Sequence, residues 1–176
     1  MSGAERVLAE IPVPTAARMR DLGRRLAALL RAGDLLVLSG PLGAGKTTLV
    51  QGIADGLGVR GPVTSPTFVI ARTHPSVGAG PALVHADAYR LGSRAEVDDL
   101  DLDADLDSSV TVVEWGEGLV EDLAPSCLEI EIAMARPATL PGTPDESRIV
   151  RLVGRGQRWA AAESASLALT GAPEAL

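Results

Sequence analysis

The stretch GPLGAGKTTL, residues 40–49, constrains the fold more than any other part of the chain. LLVLS precedes it, a short apolar run with the character of a strand covered on both faces. KTTLVQGIADGL follows and overlaps it, reading as a helix that stops at Gly58. Gly40, Gly45, Lys46 and Thr47 satisfy G-x-x-x-x-G-K-[ST], and strand–loop–helix is the context in which that pattern cradles phosphate. Glycine tolerates positive φ and has no Cβ, so the backbone can wrap closely around an anion. The loop amides then form an anion nest at a helix N-terminus.

Lys46 is the only lysine among 16 basic residues; the rest are arginine. A single flexible point charge must reach the β- and γ-phosphates, and the planar fork of arginine does not fit the same cradle. The nucleotide-binding segment is therefore read as Pro41, Leu42, Gly43, Ala44, Gly45, Lys46, Thr47 and Thr48. Gly43 and Ala44 keep the loop small, and position 41 is unconstrained by the motif. Thr47 is expected to place its hydroxyl on Mg²⁺. Thr48 is a second phosphate contact or a plain helix residue.

The fold class expected is α/β, P-loop NTPase-like, with a mostly parallel central sheet flanked by helices. ERVLAEIPV (5–13) reads as an edge strand ending at Pro14, and Thr15 as the N-cap of a helix over 16–31. Gly33 reads as that helix's stop. Further strands are expected at 67–72, 82–87, 110–115, 128–134 and 147–154, with a turn at 74–81 and a loop at 135–146. A single P-loop domain is expected over residues 1–158. Residues 159–176 read as an Ala-rich tail, a weak helix or disordered.

Charge and composition exclude some functions. A formal net charge of −7 argues against tight unaided binding to a nucleic acid backbone. No apolar window is long enough for a transmembrane helix, so no membrane is expected as a partner. The charged N-terminus MSGAERVLAE lacks a signal peptide's apolar region. The single cysteine, Cys127, cannot form an internal disulfide. Together these predict a cytoplasmic protein.

A P-loop needs a second acid to organise its metal, usually at the end of a neighbouring apolar strand. Two acids qualify, Asp87 at the end of ALVHAD and Glu114 near the end of VTVVEW. The chain contains no asparagine, so the N-K-x-D element that reads guanine is absent and ATP is favoured. Asp55, in the only D-x-x-G, reads as a helix-end cap. DADLDSSVTVVE (103–114) approaches a calcium loop, but Ser108 stands where the turn needs glycine. The acidic run EVDDLDLDADLD reads as a solvated segment or a docking surface for a basic partner. His74 and His85 lack partners at metal-ligand spacing, and His85 reads as a core residue.

GPLGAGKTTL, then VTSPTF, then HADAYRL, then VVEWGEGL, in that order, resemble the TsaE (YjeE) family over about residues 10–155. The departures are Pro41, where the family usually has an acid, and Gly116, where it usually has proline. The resemblance implies a small bacterial ATPase, with low intrinsic activity, needed to make threonylcarbamoyladenosine (t6A) in tRNA. It implies binding to the TsaD–TsaB pair, which carries out the transfer, and only indirect involvement with tRNA. It also implies that Glu114 is a metal-site glutamate and that Asp87 matters for hydrolysis. Trp115 is expected near the site. Thr64, Ser65 and Thr67 lie in a segment that resembles a γ-phosphate-sensing switch. Arg90 is a candidate arginine finger. The catalytic set is therefore Lys46, Asp87 and Glu114, with ATP and Mg²⁺ as cofactors. Two rivals stand beside this reading: a nucleotide-gated binding module without useful hydrolysis, and a small-molecule kinase.

Overall fold

Pro14 separates the first two elements. Strand β1 is Glu5–Val13, and the Thr15 hydroxyl accepts the Arg18 amide at 3.2 Å to cap helix α1, Ala16–Ala27. Strand β2 (Leu35–Ser39) leads through the glycine-rich loop into helix α2 (Lys46–Leu57), which stops at Gly58 with φ 68°. Then come β3 (Ala71–His74), β4 (Ala82–Asp87), α3 (Arg94–Asp98), β5 (Ser109–Glu114), β6 (Cys127–Met134), β7 (Arg148–Arg155) and the short α4 (Gln157–Ala160). This is a computed structural model, and it describes residues 5–65, 70–135, 147–160 and 169–170. Among them no helix is long and apolar enough to cross a membrane.

Among the described residues seven strands form one sheet, in the order β1-β7-β6-β2-β5-β4-β3. The four central strands, β6, β2, β5 and β4, run parallel. The flanking pairs β1–β7, β6–β7 and β3–β4 are antiparallel. The sheet is therefore mixed, where the sequence predicts a mostly parallel one. For β3 and β4 the reason is their short connection: a tight turn cannot cross over, so it makes a hairpin.

Alternation along the central strands builds two cores. Leu36, Leu38, Leu83, Val110, Val112 and Ile130 face α1 and α2 and pack with Leu22, Leu26, Leu49 and Ile53. Leu35, Val37, Val84, Ala86 and Val113 face the other way, against Val97, Leu102, Leu106 and Val120. A strand buried on both faces is apolar throughout, which is why LLVLS is legible without alternation. The acidic run supplies Val97, Leu102 and Leu106 to this second core. Its seven acids, including Asp98, Asp103 and Asp107, stay exposed, as a solvated segment requires.

Some boundaries move. Regular helix ends at Ala27 rather than at 31, because Leu29 and Leu30 bond back three residues, to Leu26 and Ala27. The Arg31 amide then donates to the Asp34 carboxylate at 2.9 Å, which turns the chain toward β2. Gly33 (φ 96°) sits in that turn. Asp55 is no side-chain cap; it pairs with Arg20 at 2.8 Å and Arg24 at 3.3 Å, tying α2 to α1. β3 begins at Ala71, and positions 67–69 of the expected strand lie outside the described residues, as does nearly all of the 135–146 loop. In the Ala-rich tail, Trp159 and Leu169 are buried in the α1–α2 core. Beside Trp159, Arg158 forks onto buried Asp34 at 2.9 and 3.0 Å.

Cys127 gives a first prediction. It is buried beneath the second core, and burial together with the Glu129 and Glu121 carboxylates pushes its thiol from 9.0 up to about 11. The folded chain should therefore resist iodoacetamide at pH 8 and react only as it unfolds. Between pH 9.0 and about 11 the unfolded thiol loses its proton while the folded one keeps it. Stability should fall across that window, by up to about 1.4 kcal/mol per pH unit, and Cys127→Ala should remove the slope. Rapid native-state labelling at pH 8 would contradict the burial.

Candidate functional site

The site is assembled at the C-terminal ends of β2, β4 and β5. Leaving β2, the chain takes positive φ at Gly40 (149°), Gly43 (77°) and Gly45 (104°). At Gly40 a side chain is also impossible on space, since a Cβ would lie 2.6 Å from the Ile132 carbonyl oxygen. Gly45 is the N-cap of α2, and no side chain caps that helix. An uncapped helix start leaves first-turn amides for a ligand and adds the positive end of the helix dipole.

Lys46, the first residue of α2, is only 7% exposed. Its ammonium donates to the carbonyls of Gly40 at 2.7 Å and Pro41 at 3.0 Å, and lies 4.1 Å from the centre of the Trp115 ring. Burial pushes its pKa down, and the carboxylates of Glu114 and Asp87 oppose that. The loop thus bends back to hold its own lysine.

The two acids come from register neighbours, since Asp87 of β4 sits opposite Glu114 of β5. Both follow the alternation that sends Leu83 and His85, and Val110 and Val112, onto the α1–α2 face. Glu114 is 2% exposed. Its Oε1 accepts from the Thr47 hydroxyl at 3.4 Å, and its Oε2 accepts from His85 Nε2 at 3.0 Å. Because a carboxylate only accepts, His85 donates an Nε2–H to it. Asp87 Oδ1 accepts the Tyr89 amide at 2.8 Å, which turns the chain out of β4.

Trp115 leaves β5 with φ 60°, a left-handed conformation unusual for a bulky residue. Its amide donates to the Leu38 carbonyl at 3.0 Å, so β2 holds the turn in place. The conformation costs on the order of 1–3 kcal/mol and sets the indole over Lys46. Tyr89 stands against it, ring centres 5.0 Å apart and tilted by 59°. Together these residues enclose a cleft of about 390 Å³. Tyr89 (65% exposed) and Leu42 (89%) form its lips.

Leu42, Gly43, Ala44, Gly45, Lys46, Thr47 and Thr48 all line this cleft, and Asp87, Glu114 and Ser65 join them from elsewhere in the chain. Pro41 contributes its carbonyl to Lys46. Thr64 is exposed beside Ser65, and Thr67 lies outside the described residues. Arg90 is exposed and is not among the cleft's lining residues. Sequence reasoning missed two participants. Tyr89 had a signal, its place two residues after a strand-end acid. His85 had one in hindsight, a polar residue at an inward position of a buried strand.

Residues 13–139 match the family described as "Threonylcarbamoyl adenosine biosynthesis protein TsaE". The chain belongs to the TsaE family. A Streptomyces coelicolor TsaE, named as a tRNA threonylcarbamoyladenosine biosynthesis protein, is 62% identical over 151 residues, covering 85% of this chain and 99% of that one. A Mycobacterium tuberculosis (strain H37Rv) TsaE is 54% identical over 118 residues, 63% of this chain and 70% of that one. The Bacillus subtilis TsaE is 37% identical over 141 residues, 80% and 82%. The crystal structure of B. subtilis YdiB superposes with a TM-score of 0.67 at 27% identity, covering 94% of this chain and 95% of that one. The TsaE-family chain thus shares an α/β architecture with a solved protein along nearly its whole length.

The donors facing the cleft of this TsaE-family protein suit a hard cation. They are oxygens, the Thr47 hydroxyl and the Glu114 carboxylate, held 3.4 Å apart. Among the described residues no three His, Cys, Asp or Glu side chains gather into an all-protein metal cage. Mg²⁺ asks for less, since it is commonly held by one or two protein oxygens with phosphate and water completing its shell.

Proposed function

We propose that this TsaE-family protein binds Mg-ATP in the cleft and hydrolyses it, and that the hydrolysis supports t6A modification of tRNA through the TsaD–TsaB pair. The observation that carries the reading is the convergence on one cleft of a glycine-rich loop with its lysine, a helix start without a side-chain cap, and two strand-end acids. In this reading the loop amides from Gly43 to Thr47 hold the phosphates. Lys46 leaves its carbonyl partners to neutralise the charge that develops on the γ-phosphate. Thr47 and Glu114 hold the metal, directly or through water. Mg²⁺ held there would supply neutralisation of the phosphate charge. Asp87 orients the attacking water. P-loop machinery, one ATPase domain and a cytoplasmic location belong to the same proposal.

Among the described residues no arginine lines the cleft. Arginine fingers contribute about 10³–10⁵ in rate when present. The chain alone should therefore hydrolyse slowly and be stimulated by its partner. The test is phosphate release from Mg-ATP, with the chain alone and then with purified TsaD–TsaB. Slow release that the pair accelerates is the expected result. Brisk release indifferent to the pair would sink the partner assignment.

One observation favours a second reading, a nucleotide-gated binding module. Asp87 Oδ1 already accepts the Tyr89 amide, a structural task for an acid cast in hydrolysis. Under that reading Asp87→Ala keeps support of t6A formation while Lys46→Ala loses it. Under the ATPase reading both lose it.

A further inference from the structure

His85 is wholly buried, 0% exposed, on the sheet face that packs against α1 and α2. Its neighbours on that face, Leu83 and Val112, belong to the aliphatic core. A polar ring there is costly unless it is hydrogen-bonded. His85 makes one such bond, from Nε2 to Glu114 Oε2 at 3.0 Å. Its Nδ1 has no partner among the described residues. A leucine would fill the same space without burying an unsatisfied nitrogen, so packing alone does not account for histidine here. What the ring supplies that leucine lacks is the Nε2–H.

That bond acts on the orientation of Glu114. With Oε2 tied down by a ring that the core holds rigidly, the carboxylate turns Oε1 toward Thr47. The Thr47–Glu114 separation of 3.4 Å is long for an O–H···O bond, so the two oxygens are not locked to each other. Carboxylates that ligate metals are themselves held by outer hydrogen bonds, and such outer partners aim the ligand.

We infer that His85 is a positioning residue: through Nε2–H it holds the Glu114 carboxylate in the orientation with which Glu114 and Thr47 take the Mg²⁺ of a bound nucleotide. The inference rests on the Mg-nucleotide reading of the cleft. Its test reads metal affinity rather than turnover. Mn²⁺ is titrated into the full chain with saturating ADP and followed by electron paramagnetic resonance. Wild type is compared with His85→Leu, which keeps the volume and removes the donor, and with His85→Gln, whose amide reaches about as far as Nε2.

His85→Leu should weaken Mn²⁺ about 10–100-fold. His85→Gln should recover most of that loss, and metal-free ADP affinity, measured in EDTA, should stay at the wild-type level in both. A purely structural role would move thermal stability and ADP binding together and would not be rescued by Gln. Added to Glu114→Gln, the leucine change should weaken Mn²⁺ no further, because His85 acts only through that acid. Should His85→Leu not fold, His85→Asn, too short to reach Glu114, takes its place beside Gln. Wild-type Mn²⁺ affinity in the Leu or Asn variant overturns the inference, and so does a Gln variant as weak as Leu. Failure of the wild type itself to bind Mn²⁺ with ADP overturns the reading of the cleft instead.

Discussion

Lys46→Ala should lower ATP hydrolysis on the order of 10²–10³-fold, the effect of removing one preorganised charge donor from a transition state, while leaving the fold intact. The ammonium is a guest in its own loop, bonded to the carbonyls of Gly40 and Pro41 and covered by Trp115. Burial disfavours its charged form and pushes its pKa down. That cost offsets part of what its two carbonyl bonds contribute, so its removal should change Tm little. Lys46→Arg should fail nearly as badly. A planar fork cannot place a point charge between two carbonyls under an indole without displacing Trp115 from its φ 60° perch. A calorimetric Tm, an ADP titration and a phosphate-release assay decide the matter. Wild-type turnover in Lys46→Ala would remove the loop from the chemistry altogether.

Gly52→Val should be among the most damaging single changes to stability, on the order of 3 kcal/mol and roughly 10 °C in Tm for a chain of this size. Helices α1 and α2 meet backbone to backbone. A Cβ on Gly52 would strike the Arg20 carbonyl group, and its Cα would lie 3.0 Å away. From the other side, a Cβ on Gly23 would strike the Leu49 carbonyl oxygen and lie 2.8 Å from the Gly52 Cα. On Gly56 it would lie 2.5 Å from the Ala27 Cβ. Backbone cannot swing aside as a flexible side chain can, so the helices would have to part. Since α2 carries Lys46 and Thr47 at its start, a shift there would also loosen the cleft. Gly78→Ala is the control, because a Cβ there meets nothing within 4 Å; its Tm should stay near that of the wild type. A Gly52→Val chain as stable as the control would mean that the helices pack less tightly than this.

The glycine-rich segment was legible because its signals are local. LLVLS, the glycines and the helix up to Gly58 occupy 35–58 as one strand–loop–helix, as read from spacing and turn chemistry. β4 covers 82–87 as expected, and β5 ends at Glu114, so both acids stand at strand ends. The Thr15 cap is a contact across three residues, within reach of sequence reasoning. The direction of the flanking strands was less legible. β1 and β7 pair across most of the chain, and no local pattern encodes which partner a strand takes.

The sequence by itself determined the loop, its lysine, the helix that starts behind it and the two acids, because backbone conformation, capping and periodicity act over a few residues. Only the tertiary structure decided that β4 and β5 lie side by side in register, so that Asp87 and Glu114 face the same lysine. It also decided that His85 backs Glu114 across 29 residues of chain, and that Trp115 turns left-handed to cover Lys46. Those arrangements depend on which strands pair and on what the core leaves room for. Both are properties of the packed whole and have no local period to read.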